Sequence, residues 1–264
     1  MKRDLTYRLL SVVPALLCAV AVTVIRLLQP AALTAAFAAG ALCLALAVLA
    51  FTLRGRFAPA LTEGSFATTF SSSVTGIMML ACFAFDMYFR YFAPMEERIA
   101  VVNGAVAGLA SLFCLLGALY FLFNALAPSL LANDAIHLAG AMMPVLYCAF
   151  RILCDFIATG TMPLANGGGY HILSMIAAML FLLCEAKIVS KRGKTLSYLL
   201  FGQIAIVLSV AYNIPFLVHF ADVPFAERMH GVLFLALALY IAARLFFLAP
   251  KAQEPETQEP ETQE

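Results

Sequence analysis

Tryptophan is absent from this 264-residue chain, and charged side chains make up only 12% of it. A soluble domain carries about 25% charged and about 45–50% apolar residues. At 64% hydrophobic, this chain could not cover its apolar surface in water. The formal net charge is only +1, so the basic excess that attracts nucleic acid is missing and no nucleic-acid partner is expected.

Motifs for chemistry are equally scarce. The seven cysteines, at 18, 43, 82, 114, 148, 154 and 184, all lie inside apolar runs without a Cys-x-x-Cys pair, which excludes a spaced disulfide framework and a dithiol redox motif. Gly167-Gly168-Gly169 has no strand before it and no Lys-Ser/Thr after it, so it reads as a loop and not as a phosphate cradle. His137 stands without a second histidine at ligand spacing on its segment, and no metal site is expected. Ser71-Ser72-Ser73 has no base in reach by sequence, and serine in a helix bonds its own backbone. No catalytic residue and no cofactor emerge, and an enzymatic role is disfavoured.

What is present is a series of apolar runs, each long enough at about 1.5 Å per residue to cross a hydrocarbon layer about 30 Å thick. Breaking them at charges, prolines and glycines predicts helices near 9–28, 31–53, 67–92, 99–124, 134–159, 170–189, 196–220 and 229–248. The expected fold is an all-α integral membrane bundle of eight transmembrane helices over residues 1–249. Pro30, Pro94, Pro163 and Pro224 fall in alternate turns, which suggests four tandem helical hairpins. The first run lacks a small-x-small cleavage site and reads as an uncleaved helix, not a signal peptide. After Pro250 the chain turns to Gln-Glu-Pro-Glu-Thr repeats, a composition that predicts a disordered acidic tail over 250–264.

Lysine and arginine collect on the cytoplasmic side of short loops. With the N-terminus inside, eleven basic residues fall on the cytoplasmic side, from Lys2 and Arg3 through the Lys187–Lys194 loop to Arg244 and Lys251. Four fall outside (Arg26, Arg90, Arg98 and Arg228), and Arg151 lies within a helix. The expected location is the plasma membrane, with both termini cytoplasmic. Tyr7, Tyr120, Tyr198 and Tyr240 near the inner helix ends, and Tyr88, Tyr91 and Tyr170 near the outer ones, supply an interfacial aromatic belt in place of tryptophan.

Charges at membrane depth cost about 2.5–3.5 kcal/mol each on insertion scales and normally face protein or water. Helix three carries Asp86 and Arg90, and helix five carries Arg151 and Asp155, each pair on one helix face. Their order is inverted, so parallel packing of these two helices predicts Asp86 against Arg151 and Arg90 against Asp155. Such a square fixes helix register, or lies below a mouth lined by His171, His219 and Asp222 and binds a small polar or charged solute. Asn213 and Pro215 share helix seven, where proline frees a backbone carbonyl, and Pro144 does the same in helix five. Glu185 is expected to snorkel to the inner interface beside Lys187. Gly104-x-x-x-Gly108 suits close helix packing.

The functional expectation is a transporter-like protein that binds a small polar or charged solute in an outer-half cavity. The alternative is a sensor or assembly factor acting through lipid or through a protein partner at the Lys187–Lys194 loop or the acidic tail. An enzyme acting on lipid ranks third.

Overall fold

Inside a bilayer every backbone amide must find its partner within the chain, and a continuous α-helix achieves this without help from its neighbours. The computed structural model describes residues 2–28, 32–61, 65–94, 104–159, 169–218 and 225–250. The apolar runs in them are helices: α1 Lys2–Leu28, α2 Ala32–Leu53, α3 Phe66–Met87, α4 Gly104–Leu126, α5 Asp134–Thr159, α6 Gly169–Val189, α7 Thr195–Val218 and α8 Phe225–Phe246. All eight are long and apolar enough to cross a membrane. Exposed side chains such as Leu17, Leu28, Leu44 and Phe51 would be a liability in water and are what lipid solvates.

The packing order is circular. Contacts run from α3 to α4, α5, α6, α7 and α8 in turn, and α8 closes on α3. The helices α1 and α2 lie outside this ring, both against α7, with α1 also touching α8. The two helices of each expected hairpin do touch, but α4 with α5, α6 with α7 and α3 with α8 touch as well. The hairpins are therefore not separate units.

Successive helices alternate in direction, so with eight of them the chain enters and leaves the bundle at one end, called here the termini end. There the chain between α2 and α3 forms β1, Phe57–Leu61, which pairs antiparallel with β2, Leu248–Pro250, just after α8. The sequence reading carries helix eight through residue 248 and contains neither strand, because short apolar segments look alike in the two conformations. At this same end α6 stops at Val189, and Lys191 just beyond it adopts a left-handed φ of 60°. The amides of Lys191 and Arg192 reach back to the carbonyls of Ile188 and Lys187, the pattern that satisfies a helix C-terminus.

Close helix approach occurs at other glycines than expected. A Cβ on Gly104 or Gly108 would meet nothing within 4 Å, whereas one on Gly117 would lie 2.7 Å from Met79 of α3 and 3.4 Å from Pro144 Cα of α5. Gly104 and Gly108 sit in the first turns of α4, on a part of it that faces away from its neighbours. Gly117, in the middle of α4, is where α3 and α5 both press against it.

Candidate functional site

The ring interior holds two polar clusters at different depths. The first is nearer the opposite end. Asp86, in the last turn of α3, is 6% exposed, and a turn of π-helix over Tyr88–Phe92 follows it and carries Arg90. Wide turns of this kind are rare and often accompany functional positions. The two carboxylate oxygens of Asp86 serve different partners. Oδ2 faces Arg90 Nη2 at 3.5 Å, and Oδ1 faces Nε2 of His230 on α8 at 3.4 Å. The other imidazole nitrogen, Nδ1, lies 3.1 Å from the hydroxyl of Tyr147 on α5. His230 and Tyr147 are both buried.

One turn further along α5, Arg151 Nε meets Asp155 Oδ1 at 3.2 Å. The charge square expected from the sequence does not form. Each arginine pairs with the aspartate of its own helix, because α4 stands between α3 and α5 in the ring. Arg151 still lies within electrostatic reach of both Asp86 and His230. The four charges thus belong to one environment, joined by a histidine and a tyrosine that the sequence reading did not select.

The second cluster lies toward the termini end. Glu185 of α6 is 2% exposed and does not snorkel. Its Oε1 accepts from Arg244 Nε at 2.6 Å and from the Tyr240 hydroxyl at 2.7 Å, both on α8. Arg244, counted by sequence among the cytoplasmic loop charges, has a mostly buried side chain. Pairing removes the need to reach water, so neither charge leaves the bundle. Nearby, Tyr120 of α4 and His137 of α5 lie 3.3 Å apart. His137 thus has a protein partner, and no group of metal-binding side chains occurs among the described residues.

Between the clusters the ring is apolar. A void of ≈ 10 Å³, at the lower limit for one water, is lined by Thr75, Met79, Phe121, Pro144, Leu182 and Leu233, among others. Tyr147 reaches it from the first cluster. On the far side Phe121 sits edge-on to Tyr240 of the second, with ring centroids 4.9 Å apart. One face of α8 visits the whole series, with His230, Leu233, Leu237, Tyr240 and Arg244 at helical spacing.

Asn213 bonds within its own helix. Buried in α7, it donates to the carbonyl of Ser209 at 2.7 Å. The carbonyl freed by Pro215 is that of Ala211, and Arg26 of α1 donates to it at 3.0 Å. The proline thus docks α1 on α7 instead of opening a polar site. The side chain of His171, along with His219, Asp222 and the acidic tail, lies outside the described residues.

The fold and the paired buried charges define an eight-helix integral membrane protein whose six-helix ring buries two polar clusters with an apolar layer between them. No protein-family model, no curated protein sequence and no solved structure matches the chain.

Proposed function

We propose that this protein is a transporter that moves a small charged solute along the axis of the α3–α8 ring. The observation that carries this reading is the vertical order within the ring. The Asp86–His230–Tyr147 cluster lies at one depth, the Glu185–Arg244–Tyr240 cluster at another, and an apolar plug separates them. Buried charge is expensive in lipid and is tolerated where a polar path must exist. A purely structural pair could fix helix register at one depth, but it gives no reason for a second buried cluster beyond the apolar plug. With the void near 10 Å³, the path is closed between them, as a carrier requires while its site faces one side.

The orientation that goes with this reading puts both termini in the cytoplasm and the bilayer as the plasma membrane, supported by the excess of lysine and arginine in the loops of the termini end. The Asp86 cluster then receives solute from outside, and the Glu185–Arg244 pair forms the inner closure.

The test is uptake into proteoliposomes of three radiolabelled solute classes: small anions, small cations and neutral polyols. Saturable uptake of one class above that of empty vesicles is expected. Uptake indistinguishable from empty vesicles for all three classes would overturn the reading.

A further inference from the structure

We infer that this protein holds an anionic phospholipid at the termini end, its phosphodiester bound by Arg8 of α1 together with Arg54 and Arg56 of the turn that follows α2. Such a site is independent of whatever passes through the ring.

The last turn of α2 runs into a 3-10 turn, Arg54–Arg56, and from there into β1. Strand pairing sets Phe57, next to Arg56, opposite Pro250 of β2. On the other side α1 docks against the end of α8, where the Ser11 hydroxyl donates to the carbonyl of Leu245 at 3.2 Å. One turn before Ser11, Tyr7 and Arg8 meet both neighbours. Arg56 Cζ lies 5.5 Å from the centre of the Tyr7 ring, and Arg8 Cζ lies 5.9 Å from that of Phe247. Arg54 covers Phe51 at 3.8 Å. Thr195 donates to the carbonyl of Phe57 at 3.5 Å, which brings the exposed Lys194 to the same rim. Stacking engages the flat face of a guanidinium and leaves its in-plane N–H donors for an anion.

No acidic side chain among the described residues answers these charges. Asp86, Asp134, Asp155 and Glu185 pair instead with Arg90, Lys191, Arg151 and Arg244. Arg54 and Arg56 are exposed, whereas Arg8 is half-buried and its Nε is enclosed without an acceptor. A buried donor left unmade is costly, and a guanidinium fork matches the oxygens of a phosphate.

Depth selects the source of that phosphate. The apolar spans begin at Leu5 in α1 and end at Arg56 in α2, so the three arginines stand where hydrocarbon gives way to headgroups. Leu5, Leu9 and Phe51 beside them are exposed and offer acyl chains a surface. A zwitterionic lipid brings its own cation to the arginines, and a net-anionic lipid does not. The glutamates after Pro250 are the competing source of negative charge. To reach Arg8 they would have to leave water, whereas a lipid phosphate is already at that level.

The experiment uses the full chain in a neutral detergent, offered equal amounts of phosphatidylglycerol and phosphatidylcholine with identical acyl chains. Native mass spectrometry counts the lipid retained. Phosphatidylglycerol should be retained in preference, and Arg8→Gln, Arg54→Gln and Arg56→Gln should each lower the ratio by about fivefold, the worth of one arginine at an anionic surface. Should Arg8→Gln fail to fold, the two exposed arginines carry the test. Lys191→Gln removes the same charge at this end of the bundle, but beside Asp134 of α5, and should leave the ratio unchanged. Replacing Glu254, Glu256, Glu259 and Glu261 by glutamine should also leave it unchanged. Equal retention of the two lipids by the unmodified chain would overturn the inference, as would an effect of Lys191→Gln equal to that of the arginine substitutions. A preference for phosphatidylglycerol that appears only after the glutamates are replaced would assign the arginines to the chain's own tail, and would overturn it too.

Discussion

Arg26 on α1 donates to the carbonyl of Ala211, the backbone oxygen that Pro215 leaves without a partner four residues further along α7. A proline in a helix removes one donor, and in lipid the orphaned acceptor has no water to turn to. Arg26→Ala should therefore destabilise the protein by about 1–3 kcal/mol, the range for a buried polar group left unsatisfied. In a Pro215→Ala background, which restores the amide, the same substitution should cost clearly less. A double-mutant cycle of thermal unfolding in detergent measures the difference.

Glu185 is held by Arg244 and Tyr240 together, so the two partners should differ in weight. Removing Arg244 leaves a buried carboxylate with its charge uncompensated and should cost about 3–5 kcal/mol. Tyr240→Phe removes one hydrogen bond to a charged acceptor and should cost about 1.5–3 kcal/mol. Denaturation midpoints of the two variants should fall in that order; a Tyr240→Phe defect equal to that of Arg244→Ala would contradict it.

The eight helices were legible because the bilayer imposes a length on every apolar run, and the i,i+4 partners Asp86–Arg90 and Arg151–Asp155 because helix geometry fixes who shares a face. Helix neighbours were not legible. Nothing in the apolar composition of α4 says that it stands between α3 and α5, so the sequence suggests pairing across helices where the structure shows pairing within them. Glu185 is hard to read from the sequence for a related reason. Lys187 beside it suggested an interface, while its partner Arg244 lies far along the chain. One signal is present in the sequence: His230, Leu233, Leu237, Tyr240 and Arg244 recur on a single face of α8, with polar groups at both ends of one stripe.

Close packing at the centre of α4 gives a contrast between two glycines. Gly117→Val would press on Met79 and on the backbone of Pro144 and should cost about 1–3 kcal/mol through overpacking. Gly108→Ala meets nothing within 4 Å and should change stability by no more than about 0.5 kcal/mol. Melting curves of the two purified variants should separate accordingly.

A path through the ring requires that its middle be reachable from both faces of the membrane. Thr75 lines the void, its hydroxyl bonded to the carbonyls of Ser71 and Ala236, and cysteine replaces threonine there with little change in size. With the seven native cysteines replaced, Thr75→Cys in oriented vesicles can be treated with a small membrane-impermeant thiol reagent from one side at a time. Modification from each side in turn is the result expected of a solute path that opens to both. Reaction from one face only, or from neither, would contradict it.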